Sequence, residues 1–152
     1  MNNGLFATVK FTKNHPDAQT PFCAHQGDAG YDLYSVEDLW VRPGSIIKVA
    51  TGISIELPPY TYGHIVDRSS MGLKGLHVFS GVIDNGFSGS LSVILFNACA
   101  TTDSLTVYHI KKGDRVAQLI VKPVYEVTWE ETPSLNTRVA PRGTSGFGSS
   151  GR

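Results

Sequence analysis

From Ile47 to Leu57 the residues alternate, with Ile47, Val49, Thr51, Ile53, Ile55 and Leu57 on one side and Lys48, Ala50, Gly52, Ser54 and Glu56 on the other. A period of two puts successive side chains on opposite faces of a strand. The stretch therefore predicts a strand with one buried face, broken near Gly52. Further strands are expected at Phe6–Phe11, Gly63–Val66, Leu91–Asn97, Leu105–Ile110, Val116–Val121 and Val124–Trp129. Apolar recurrence at helical spacing is nearly absent. One short helical piece is expected from Ser69-Ser70 to about Leu73, with Gly72 and Gly75 keeping it short. Turn signals at Arg42-Pro43-Gly44, Pro58-Pro59-Tyr60 and Lys112-Gly113-Asp114 separate the strands. Short strands at even spacing with punctuating turns predict an all-β sandwich or barrel.

A chain of 152 residues suits one domain. Its tail changes character: beyond Thr132 it is rich in Thr, Ser, Gly and Pro and has little to form a core. The expected division is a β core over 1–132 and a C-terminal arm over 133–152. Thirteen basic residues balance thirteen acidic ones, so no general field draws the chain to nucleic acid or to an anionic membrane. Any polyanion must be held by a local arrangement. Cys23 and Cys99 form no C-x-x-C pair and read as reduced thiols. The five histidines show no metal-ligand spacing and read as surface or packing residues. Met1–Lys10 does not resemble a signal peptide and no membrane-spanning run exists, so a soluble intracellular protein is expected.

Four segments could carry chemistry. In Val82-Ile83-Asp84-Asn85-Gly86-Phe87, Asn-Gly between strand-like residues signals a two-residue hairpin with both turn positions at positive φ. Asp84 is then either a turn-former or an acid presented at a loop. In Asp67-Arg68-Ser69-Ser70-Met71-Gly72, the serines suit a helix cap, while the neighbouring Arg makes the same segment a phosphate site. Lys111–Gln118 reads as a charged turn entering a buried strand, with Gln118 the polar exception that needs hydrogen-bond partners. Arg142–Arg152 is Gly-rich and could cradle phosphate with backbone N–H groups or be a plain tail. It lacks the Lys and following helix of a Walker loop, and Phe147 is hard to place in a solvated tail.

Together with Ala29-Gly30-Tyr31-Asp32-Leu33, these segments resemble the five ordered motifs of the homotrimeric dUTPase family, over about Gly27 to Gly151. The resemblance implies a jelly-roll-like β fold and a homotrimer with active sites between subunits, each closed by a neighbour's C-terminal arm. It implies hydrolysis of dUTP to dUMP and pyrophosphate, with Mg²⁺ chelated by the substrate's phosphates. By this resemblance Asp84 matches the acid that orients and deprotonates the attacking water, and Gln118 the residue that helps position it. Gly81, Val82 and Ile83 match the backbone that reads uracil. Phe87 stands where the family usually has Tyr, under the deoxyribose. Arg68, Ser69 and Ser70 match the phosphate-binding segment, and Asp32 an acid supporting the site and the metal region. Arg142 matches the arm's phosphate-binding Arg, Phe147 the aromatic that covers the uracil, and Gly148, Ser149 and Ser150 the γ-phosphate loop.

Three positions depart from the family pattern. Phe87 lacks a hydroxyl but keeps a ring face. Asp67 replaces a common Pro and is expected to tune Arg68 or pair with it. Ser88 replaces a longer polar residue. Two rivals share the pattern. A dCTP deaminase would carry a catalytic Glu where this chain has Ile94, which cannot move protons. A non-catalytic nucleotide-binding jelly-roll module would have no need of Asp84, Gln118, Arg142 and Phe147.

Overall fold

The computed structural model describes residues 7–100 and 107–133. Among them the strands are β1 (Lys10–Lys13), β2 (Tyr31–Tyr34), β3 (Leu39–Val41), β4 (Ile46–Ala50), β5 (Ile53–Glu56), β6 (Thr61–Val66), β7 (Leu76–Phe79), β8 (Val82–Ile83), β9 (Ser92–Asn97), β10 (Tyr108–Ile110) and β11 (Arg115–Pro123). The single helix is α1 (Ser69–Gly72), at the position the sequence marks. A four-stranded sheet in the order β2-β11-β6-β8 and a three-stranded sheet β4-β9-β7 are joined by two ribbons, β1-β5 and β3-β10. Every pairing is antiparallel. Leu33, Val49, Ile53, Leu76, Val93, Leu95, Ile110, Val116 and Leu119 meet in one apolar core. The fold is all-β and jelly-roll-like, as expected.

The alternation at 47–57 is realised: Val49, Thr51, Ile53, Ile55 and Leu57 are all buried. Its break falls at Gly52, where φ is +67°. A Cβ there would sit 2.6 Å from the Cβ of His15, so only glycine fits this switch of sheets. Thr51 donates its hydroxyl to the Leu91 carbonyl at 2.7 Å, which satisfies a buried polar group at the crossing.

Three expectations are corrected. Val124–Trp129 forms no strand: its side chains at Tyr125 and Trp129 are 83% and 93% exposed. Pattern alone cannot make a strand without a partner to complete the ladder, and no described strand lies beside it. The expected first strand begins late, at Lys10, where pairing with β5 starts. The Asn85-Gly86 turn has positive φ only at Gly86 (+87°), the signature of a type II rather than a type I′ turn, and no described strand follows it to complete a hairpin.

β11 carries a bulge that decides what its side chains face. Arg115 opposes Tyr34 but Ala117 opposes Leu33, so two residues of β11 span one of β2. Val116 and Ala117 are consequently both fully buried. Arg115 and Gln118 are an odd number of positions apart and would face opposite ways in a regular strand. The bulge leaves both off the core face, where each meets residues of the candidate site.

Candidate active site

The site residues gather at the two ends of β6. At its Val66 end, β11 places Gln118 opposite both Val66 and Asp32. The Asp32 side chain, 13% exposed, accepts from Arg68 Nε at 2.7 Å and from an Arg115 guanidinium nitrogen at 3.3 Å. One carboxylate thus orients two guanidiniums and leaves further N–H donors pointing elsewhere. Arg68 also donates to Ser70 Oγ at 3.2 Å. A polar cavity of about 190 Å³ opens here, lined by Arg68, Ser70, Lys74, Tyr108, Asp114 and Arg115. Three cations face two carboxylates across this corner, so a multiply charged anion finds a net positive seat.

The joint between β6 and α1 is held by Asp67. Its carboxylate accepts the Val78 N–H and meets His77 Nδ1 at 2.8 Å, which ties the joint to β7. Of the two expectations for Asp67, tuning Arg68 or pairing with it, the pairing is corrected, because its side chain is turned to the neighbouring sheet. Its carbonyl accepts Gln118 Nε2 at 2.7 Å, which answers the question of how Gln118 is satisfied. Close packing of Gly30 on Gln118 holds the other side of that amide. The serines do not cap α1 with their side chains: the cap position is Arg68, and no side-chain cap bond forms. Ser69 and Ser70 are exposed at the head of the turn, whose first amides have no partner within the helix.

At the other end of β6 lies the Asp84 turn. Ser80 at φ +58° swings the chain out of β7 and into β8. Gly81 then passes so close to the Ile65 carbonyl that any Cβ would collide with it, and Ile65 N–H donates to the Gly81 carbonyl at 2.7 Å. β8 pairs with Gly63 and His64 of β6. Phe87 N–H closes the turn onto the Asp84 carbonyl at 3.2 Å. The Asp84 carboxylate is exposed and has no hydrogen bond or ion pair among the described residues. The Phe87 ring rests over Gly89, where a Cβ would come within 2.6 Å of it.

Ile83 is opposite Gly63 while Gln118 is opposite Val66, so Ile83 and the Asp84 turn beyond it lie about 10 Å or more from Gln118 along β6 at a strand's rise per residue. The chain brings Asp32, Arg68, Ser70 and Gln118 together and sets Gly81 against Ile65, next to Val66, but β8 then carries Asp84 and Phe87 away from that group. Arg142, Phe147, Gly148, Ser149 and Ser150 lie outside the described residues. Arg115 and Lys74 went unassigned from sequence. The signal for Arg115 was the adjacent apolar pair Val116-Ala117 between two polar residues, which breaks the period and marks a bulge. Lys74 had no comparable signal.

No described group of three or more His, Cys, Asp or Glu could cage a metal ion. No described helix is long and apolar enough to cross a membrane.

The dUTPase family model matches residues 17–151. The chain is 39% identical over 150 residues to the deoxyuridine 5'-triphosphate nucleotidohydrolase of Monkeypox virus, covering 99% of this chain and 95% of that protein. It is 40% identical over 146 residues to the enzyme of that name from Clostridioides difficile, covering 94% and 97%. Among solved structures it is similar to a mutant dUTPase of Staphylococcus bacteriophage 80alpha with dUpNHpp. The TM-score there is 0.87 at 26% identity, over 95% of this chain and 99% of that one.

Proposed function

The chain belongs to the dUTPase family, and on that premise we propose that it hydrolyses dUTP to dUMP and pyrophosphate. The observation that carries the reading is the Asp32–Arg68–Arg115 cradle beside Gln118. A triphosphate needs cations and N–H donors oriented before it arrives, because phosphoryl transfer depends mainly on positioning and electrostatics. Arg68, Ser69 and Ser70 bind the phosphates. Gly81, Val82 and Ile83 offer main-chain groups to uracil. Phe87 lies under the sugar and leaves no room for a 2′-hydroxyl.

Asp84 takes the proton from a water that Gln118 helps to position. The water oxygen bonds to the α-phosphorus as the bond from that phosphorus to the bridging oxygen breaks, and pyrophosphate departs. The free carboxylate of Asp84 suits this role, since a base already engaged by donors would be a poor proton acceptor. Arg142, Phe147, Gly148, Ser149 and Ser150 of the arm close over the nucleotide and its γ-phosphate.

The substrate is taken as its Mg²⁺ complex. The donor set fits that reading: both oxygens of Asp32 are engaged by guanidiniums, so this acid steadies the phosphate seat and is not free to be a ligand. Mg²⁺ prefers phosphate and water oxygens, and held by the substrate it would supply charge neutralisation to the phosphates.

The active unit is a homotrimer whose sites lie between copies. The separation of Asp84 from Arg68 and Gln118 along β6 supports this. So do an apolar groove of about 550 Å³ lined in part by Phe11, Tyr31, Ile55 and Leu119, and the exposed Tyr125, Val127 and Trp129. The reaction keeps uracil out of DNA and supplies dUMP for dTTP synthesis. The deaminase alternative finds no acid at Ile94, an aliphatic residue of β9. Pyrophosphate release is expected from dUTP with Mg²⁺, at far lower rates from dTTP, dCTP and UTP, with no ammonia from dCTP. Intact dUTP after hours with magnesium would overturn the proposal.

A further inference from the structure

The Asp84 turn is exposed and closes on itself through a single 3.2 Å bond, yet a base must be held in place to act. What holds it is Asn85. Its Nδ2 donates to the Pro58 carbonyl at 2.7 Å and to the Thr61 carbonyl at 3.1 Å. Both partners only accept, so the amide nitrogen is the required atom and a carboxylate cannot take its place. The receiving loop is itself fixed. Pro58 and Pro59 restrict its backbone, Thr61 Oγ1 donates to the Pro58 carbonyl at 2.7 Å, and Val124 N–H, just past β11, donates to the Tyr60 carbonyl at 2.8 Å. We infer that Asn85 is a positioning residue that fixes the Asp84 carboxylate by tying its turn to the β5–β6 loop.

The inference rests on Asp84 being the base. It separates two parts of the same segment. Gly81 to Ile83 are held independently, by the β6 ladder and the bond from Ile65 N–H. Losing the Asn85 tether therefore loosens the acid and leaves the pyrimidine-reading backbone in place, so kcat falls while KM holds.

The test compares full-length Asn85→Asp, Asn85→Ala and Asp84→Asn with the parent, on dUTP with Mg²⁺. Asp has nearly the shape of Asn and suits turns as well, but supplies neither donor. Asn85→Asp is expected to lower kcat about tenfold with KM within about twofold, the size of effect that two lost neutral hydrogen bonds give. Asn85→Ala, which adds no charge, is expected to fall in the same direction. The Phe87 amide should exchange faster in both variants, with core strand amides unchanged. Asn85→Asp at parental kcat would overturn the inference. So would a normal Asn85→Ala, which would leave only a charge effect, or an equal collapse of KM, kcat and melting temperature, which would show a structural role. An active Asp84→Asn would remove the base and the inference together, whereas a slow Asp84→Asn beside a normal Asn85→Asp sinks the tether alone.

Discussion

At the Val66 end of β6, a carboxylate that is 13% exposed grips two arginines; at the Thr61 end, an exposed carboxylate makes no hydrogen bond or ion pair with a described residue. The contrast fits the role proposed for each acid. A phosphate chain is a permanent anion, and its seat works best when the cations are fixed in advance, so Asp32 is consumed in holding them. A general base must be open to accept a proton, which suits the exposed Asp84, and on the proposed reading its placement comes from the neighbouring Asn85 and the ladder under β8. On the proposed function one acid is structural, with both its oxygens taken, and the other is the base, with neither engaged by a described residue.

Substitutions at the two ends should therefore fail in different ways. The largest effect is expected from Asp84→Asn: kcat falls about 100-fold or more with the melting temperature unchanged, as for loss of a base with no structural contacts. A stability loss there would erase the contrast. Asp32→Asn should do both. It leaves the half-buried Arg68 and the exposed Arg115 without a full counter-charge, at a cost of about 1 kcal/mol after allowing for solvent screening. With the arginines loosened, kcat/KM for dUTP falls about tenfold, and denaturant midpoints and steady-state rates check the two parts separately. The smallest effect is expected from Phe87→Tyr. The ring face over Gly89 is kept, so kcat/KM should move by less than about threefold and UTP should stay excluded. A large gain would mean that a hydroxyl at this position does more than present a ring.

How far all this could be read in the residues depends on whether a feature is local. The switch of sheets at Gly52, the turn at Lys112-Gly113-Asp114 and the helical turn at Ser69 depend on residues in or beside them, and each was visible. The closeness of Asp32, Arg68 and Gln118 was expected through their motifs, and the ion pair and register place those three together. Non-local facts were hidden. That Asp67 turns to His77 and Val78 depends on β7 lying beside β6's end, which no spacing states. The bulge at Val116-Ala117 changes the face of Gln118, and its one trace in the sequence is that adjacent apolar pair, which does not say which residues the bulge turns Gln118 toward. Val124–Trp129 has the right alternation, but a strand exists only where a second one pairs with it. The distance between Asp84 and Arg68 is likewise a matter of register, and motif order along the chain gives no hint of it.

That distance carries the central claim, that a working site combines the Asp84 turn of one copy with the phosphate seat of another. The direct measurement co-refolds an Asp84→Asn chain with an Arg68→Ala chain, each inactive alone, and follows pyrophosphate release. If sites form between copies of a closed trimer, random mixing in equal amounts pairs an intact turn with an intact seat at roughly a quarter of the sites, and activity returns to about that level. If both halves come from one chain, every site carries one defect, and the mixture stays as inactive as its parts.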